Sequence, residues 1–332
     1  MQSLALPTFP PGPKLRFPWW QIRSFSTGVP NFLSNLAREY GDIARFSVGG
    51  QAYYLLNHPN YIQDLFGVHR EKLVWVAPFI TRSLFKISIF EGVSLKKNKL
   101  NTEQNKISWE SVRDVVQKES ENWHAKDSLE LQRELVQITK AVEKNAGIAG
   151  VLTWAIYLLM QHPSALLEAE NEVDAILGGR NLKKIEASGF SYIRMVFAET
   201  LRLYPQNWLI SQKATESIEI GTYIIPRGAI LLVSQWVMHH DLRYYPLPYK
   251  FDPLRWRAKA RMLRPPMAYF PFQSGVFQEK GQEARYWQIQ ILLLAALLEN
   301  WRFEFLRTQK ITPDFSSHLR PKEELWVKPK AR

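Results

Sequence analysis

Glu199-Thr200-Leu201-Arg202-Leu203-Tyr204-Pro205 is the stretch that decides how this chain is read. Positions i and i+3 share a helix face, so Glu199 and Arg202 can pair. On a solvated surface such a pair contributes only about a few tenths of a kcal/mol. Here Leu201, Leu203 and the terminating Tyr204-Pro205 set it on a largely apolar helix, expected over 192–204. Proline has no amide hydrogen to continue the ladder, so the helix stops there. Downstream, Phe251-Asp252-Pro253-Leu254-Arg255-Trp256 offers a second arginine beside an aromatic ring.

Working outward, residues 7–18 hold five prolines, with Pro10-Pro11-Gly12-Pro13 at the centre. This reads as a stiff, extended leader. Phe32, Leu33, Leu36 and Tyr40 fall at helical spacing. The runs 43–48 and 52–56 flank Gly49-Gly50, and paired glycines supply the positive φ of a tight hairpin turn. A short helix is expected over Tyr61–Phe66, and a helical pattern runs from Trp109 to Leu135. Ala146 to Leu177 is one long helix or two, broken at Pro163. Residues 217–237 read as strands turning at Pro226-Arg227-Gly228, and 241–272 as largely irregular. Arg285 to Leu298 is an apolar helix, with closing strands at 301–305 and 325–327.

At this point the chain resembles a cytochrome P450. ETLRLYP and FDPLRW look like two of that family's motifs, and the resemblance implies a buried triad of Glu199, Arg202 and Arg255. The family usually has an acid at position 254, where this chain has Leu254. The PPGP leader, REYGDIARFSVGG, NHPNYI, LTWAIYLLMQHP, IPRGAILLVSQWVMHHDLRYYP and Phe270-Pro271-Phe272 resemble the family as well. The resemblance implies a haem cofactor, and monooxygenation of an apolar small molecule using O₂ and two electrons. It implies an α+β, mostly helical fold with small peripheral sheets.

The departures fall on chemistry. The family's haem loop runs Phe-x-x-Gly-x-Arg-x-Cys-x-Gly, and the remnant here is Phe272, Gly275, Phe277, Glu279 and Gly281. Phe277 stands where the arginine for a haem propionate would be. Glu279 stands at the position of the iron-binding cysteine. A carboxylate is a harder donor than a thiolate and lacks its electron push. The oxygen-activating helix has the remnant Ala146, Gly147 and Gly150, without the acid and the threonine. Thr153, one turn on, reads as a core threonine. Trp109 and Arg113 match a propionate-binding Trp-x-x-x-Arg literally, but their neighbours favour a surface pair on an amphipathic helix.

Composition bounds the rest. The 332 residues are 46% apolar and 22% charged, which is globular rather than disordered. There is no cysteine. That excludes disulfides, thiolate zinc sites, iron–sulfur clusters, cysteine nucleophiles and thiolate-ligated haem. The longest apolar candidate, Ala146 to Met160, falls short of the ~20 residues of a membrane span, and no secretory signal opens the chain, so the cytoplasm is expected. Among the seven histidines no His-Glu-x-x-His occurs. The net charge of +12 is partly clustered at Arg255, Arg257, Lys259, Arg261 and Arg264. By resemblance this basic face would receive an acidic ferredoxin-type redox partner. No nucleic-acid motif is present.

The expectation is therefore an incomplete cytochrome P450-like fold: a leader over 1–29 and one domain over 30–332, with internal deletions near 80–108 and around 140–150. Oxygen activation is not expected, and haem binding is doubtful for want of both loop side chains. The alternatives are a binding protein using a residual apolar cleft, or a haem protein with a non-thiolate ligand such as Glu279, Tyr286 or a histidine. The helix over 146–160 is apolar on all sides. Without covering helices it should leave an open cleft beside Trp154.

Overall fold

The computed structural model describes residues 9–13, 28–76, 107–143, 147–178, 185–272, 282–316 and 318–332. The first helix, α1 (Val29–Tyr40), turns Leu33, Leu36 and Ala37 inward. It leads into the hairpin β1 (Ile43–Val48) and β2 (Gln51–Leu56), in register Phe46 to Tyr53. Gly49 and Gly50 have φ of 57° and 82°, the left-handed geometry that a two-residue turn requires. The helix α2 (Pro59–Gly67) and strand β3 (Leu73–Trp75) follow.

The helical pattern expected from Trp109 to Leu135 divides in two. The first part, α3 (Trp109–Glu119), stops where the Ser120 hydroxyl donates back to the Val116 carbonyl at 2.6 Å. A 3₁₀ turn then swings Trp123 into the core against Trp301 and Phe303. A short strand β4 (Leu129–Glu130) leads directly into α4 (Leu131–Glu143). Periodicity alone missed this break because Trp123 sits at an apolar position of the helical pattern. The break at Pro163 occurs as expected, separating α5 (Gly147–Gln161) from α6 (Pro163–Leu177). Next come α7 (Ser191–Leu203), β5 (Ile210–Ala214), β6 (Ile218–Ile220), β7 (Tyr223–Ile225), β8 (Ile230–Val233) and α8 (Gln235–His239). After a 3₁₀ turn over Pro253–Trp256 stand α9 (Ala258–Met262) and α10 (Gln282–Asn300). The described chain closes with β9 (Trp301–Phe305), β10 (Pro313–Asp314), β11 (Arg320–Pro321) and β12 (Trp326–Ala331).

The larger sheet has the order β1-β2-β8-β5-β3, antiparallel except for β2 beside β8. The smaller one is β4-β12-β9, antiparallel throughout. Helices dominate between them, so the fold is mostly helical α+β with small sheets at its margins. The leader is tied to the sheet edge. Arg45 N donates to Pro11 O at 2.8 Å, and Phe9 lies 5.4 Å from the Arg45 guanidinium.

Among the described residues no open cleft adjoins Trp154, contrary to expectation. From Ile148 to Leu159 every residue of α5 is buried except half-buried Gly150, and Trp154 is 0% exposed. The helix touches α4, α6, α7, α10, β9 and β11. Trp154 stacks on Tyr204 with ring centroids 3.7 Å apart and planes 6° apart. Exposing an all-round apolar helix costs about 25 cal/mol per Å². Neighbouring elements have closed over it instead.

Candidate functional site

At the centre of the described structure is a buried charge cluster at the end of α7. Thirteen residues of helix, terminated by Tyr204, carry Glu199 and Arg202 on the inward face, both 0% exposed. Arg202 grips Glu199 in a fork, with Nη2 to Oε1 and Nε to Oε2 both at 2.8 Å. Its remaining donors reach His239 O, Pro248 O and Lys250 O. Arg255 Nε lies 3.3 Å from Glu199 Oε1, and its Nη1 donates to Pro246 O at 3.0 Å. The structure thus brings Glu199, Arg202 and Arg255 together, 53 to 56 residues apart in the case of the second arginine's segment.

Two further partners of this cluster have no signal in the helix pattern. Trp256 Nε1 donates to Glu199 Oε2 at 2.9 Å, and Asp252 N donates to Oε1 at 3.1 Å. From the sequence Trp256 reads only as an aromatic beside Arg255. Glu199 therefore accepts from every side, which is what a desolvated carboxylate needs. Below it lie His239 and His240, both held neutral. Burial first, then coupling to the neighbouring His240 ring and the charge of Arg202, lowers His239 well below the usual histidine range. Burial, then Arg202, lowers His240 to about 3. These groups organise backbone.

The segment that the resemblance likens to an oxygen-activating helix lies only partly within the described residues. Ala146 lies outside the described residues, and Gly147 opens α5. Gly150 occupies the position where the resemblance places threonine. A Cβ there would meet Arg320 Cβ at 3.8 Å and the Leu319 carbonyl at 4.0 Å, so the last strands cover that face. Thr153 is fully buried and donates to Ala149 O at 2.8 Å, as a core threonine does. Of the loop remnant, Phe272 is buried against Tyr286 and Trp287. Gly275, Phe277, Glu279 and Gly281 lie outside the described residues.

A family model described as Cytochrome P450 matches residues 145–329, more than half of the sequence. The chain belongs to the cytochrome P450 family. It is 35% identical over 171 residues to cyclooctatin synthase of Streptomyces melanosporofaciens, a match covering 51% of this chain and 37% of that protein. It is 30% identical over 185 residues to thromboxane-A synthase of Mus musculus, covering 54% and 34% respectively. Against cytochrome P450 4V2 of Rattus norvegicus the identity is 27% over 237 residues, covering 69% and 40%. The chain thus spans well under half the length of these relatives.

A P450 implies haem, and the residues present do not fit the family's way of holding it. The sequence contains no cysteine, so no thiolate can reach iron. Arg113, the literal match to a propionate ligand, donates its Nε to both carboxylate oxygens of Glu299, at 2.9 and 2.8 Å. Its partner Trp109 is 1% exposed, packed near Phe190, so the expectation of a surface pair is corrected. Helix α3 buries that edge against α10, where Glu299 waits. The Nε2 lone pair of His239 is taken by the Phe270 amide at 3.2 Å. Among the described residues no group of three His, Asp or Glu side chains is placed to hold a metal ion.

Among the described residues two open cavities stand out, and Trp154 lines neither. One, about 410 Å³, lies between α4 and the last strands and is lined by Arg133, Asp314, Arg320 and Lys322 among others. The other, about 610 Å³, is lined by Gln161, His162, Phe305 and Arg307 among others. Among the described residues, no helix is long and apolar enough to cross a membrane.

Proposed function

We propose that this chain is a P450-framework protein that has kept the family's structural triad and does not perform thiolate-haem monooxygenation. The observation that carries the reading is the absence of any cysteine in a chain that otherwise matches the family over 145–329. Gly150 supports it, since the position where the resemblance places threonine carries no hydroxyl. The role of Glu199, Arg202 and Arg255 is to lock the irregular 240–257 segment onto α7. The ferredoxin-type partner suggested for the basic face has a role only if there is a haem to reduce. On this reading that role lapses. Among the described residues no cavity for an apolar small molecule opens at Trp154, whose ring is buried against Tyr204.

We further propose that residues 30–332 form one domain shortened by internal deletions near 80–108 and around 140–150. The three residues between Glu143 of α4 and Gly147 of α5 support the second of these.

The test is addition of haem to the purified protein, followed by reduction under carbon monoxide. The expected result is no thiolate-type Soret band and weak, substoichiometric haem uptake. Tight one-to-one uptake through Glu279, Tyr286 or a histidine, with turnover of an apolar substrate, overturns the reading.

A further inference from the structure

Residues 254–264 carry five Lys or Arg and no acid. The segment projects from the buried cluster and is clamped at its base. Arg255 and Trp256 both bond Glu199, and Arg264 donates to the Arg255 carbonyl while lying 4.4 Å over the Trp256 ring. The aromatic groups of the region, Trp256 and Tyr245, are thus turned inward beneath Arg264. What faces out is different. Met262 and Leu263 are 85% and 82% exposed, and Leu254 is 42% exposed. Arg257, Lys259 and Arg261 are exposed around them and make no ion pair among the described residues. In helical register Lys259 and Met262 share one face of α9, and Leu263 follows as its C-terminal cap residue.

We propose that residues 254–264 form a rigid finger that docks on anionic phospholipid surfaces. Met262 and Leu263 enter the acyl region, while Arg257, Lys259 and Arg261 stay at the phosphates. Charge complementarity selects an anionic surface. The choice between a lipid and an acidic protein rests on the outward residues. Protein hot spots favour Trp, Tyr and Arg in desolvated pockets, with Leu under-represented. Here the aromatics are turned in and two flexible aliphatic tips project, ringed by cations, which is the chemistry of interfacial insertion. Such docking needs no membrane-spanning helix.

The test is co-sedimentation of the full chain with vesicles of phosphatidylcholine alone and of phosphatidylcholine mixed with phosphatidylserine. Binding is expected only to the mixed vesicles and should fall as salt rises. The exposed pair M262S/L263S is expected to weaken partitioning at least tenfold, and K259E/R261E to a similar extent. Both variants should keep the circular dichroism and unfolding midpoint of the parent. Equal binding to the two vesicle types, or to neither, overturns the proposal. So does M262S/L263S binding as tightly as the parent while soluble polyglutamate competes, an outcome that assigns the finger to an acidic protein partner.

Discussion

The ring of Trp154 on α5 lies flat on the ring of Tyr204 at the end of α7, with centroids 3.7 Å apart. This contact closes the space where an open cleft was expected. Burial pushes the Tyr204 phenol up to about 12, with Tyr157 adding to the shift. Trp154→Ala is expected to destabilise the protein by about 3–5 kcal/mol, because the surrounding helices cannot fully collapse onto the void. Trp154→Phe keeps a ring in place and should lose less than half of that. Equilibrium denaturant unfolding measures both. A loss under about 1 kcal/mol for the alanine variant would mean that the site repacks freely.

Glu199 accepts five hydrogen bonds, and every one comes from α7 or the 252–256 segment. Glu199→Ala leaves Arg202 as a buried, unpaired cation, and is expected to cost about 3–5 kcal/mol. Arg202→Lys should also be costly, since one ammonium cannot reproduce the fork. The exposed pair of Lys72 and Glu216, 3.5 Å apart, is the control. Glu216→Ala should change stability by less than about 0.5 kcal/mol. Thermal or denaturant unfolding of the three variants together separates a desolvated pair from a solvated one.

What could be read beforehand was what short-range chemistry dictates. Gly49-Gly50 announced the hairpin through its backbone freedom, Pro163 announced the split between α5 and α6, and the leucines of ETLRLYP placed Glu199 on an inward face. What could not be read was pairing across long stretches of chain. Arg113 meets Glu299 across 186 residues, and no local pattern signals it. Buried Glu170 on α6 is matched by Arg302 and approached by Arg332, residues far beyond it in the sequence. The closure over α5 escaped for the same reason. The apolar character of 146–160 shows that the helix must be buried, but not that β9 and β11 are the elements that cover it.

Gly12 shows how tightly the leader is seated. A Cβ on this residue would lie 1.8 Å from the Arg45 carbonyl oxygen, so no side chain fits without moving backbone. Gly12→Ala is expected to lift residues 9–13 off β1 and to break the Pro11 O to Arg45 N hydrogen bond. The global cost should be about 1 kcal/mol, the net worth of one such bond. The local effect should be larger. The Arg45 amide is expected to exchange with solvent much faster while the amides of β8, at the sheet centre, keep their protection. Unchanged exchange at Arg45 would show that the leader finds another seat.

Acid should destabilise this protein well before its carboxylates titrate, because of the histidine pair under the triad. An unfolded histidine takes a proton near 6.5, whereas in the fold His240 stays neutral down to about 3. His239 is shifted in the same direction by burial, and His318 adds a smaller shift of the same sign. Below pH 6.5 the unfolded chain therefore binds more protons than the folded one, so stability falls as pH falls. The full contribution is present above pH 6.5. Between pH 6.5 and pH 5 each neutral histidine removes up to about 1.4 kcal/mol per pH unit. The His240 ring lies between Trp236 and Tyr249, with ring centroids at 4.3 and 4.8 Å. His240→Phe keeps those ring contacts but gives up the hydrogen bond to Trp236 O, so it should lower stability near neutrality. It should also flatten the acid limb by one proton. Unfolding free energies measured at intervals from pH 8 to pH 5 test this. A limb of equal slope in parent and variant would mean that His240 is already protonated in the fold.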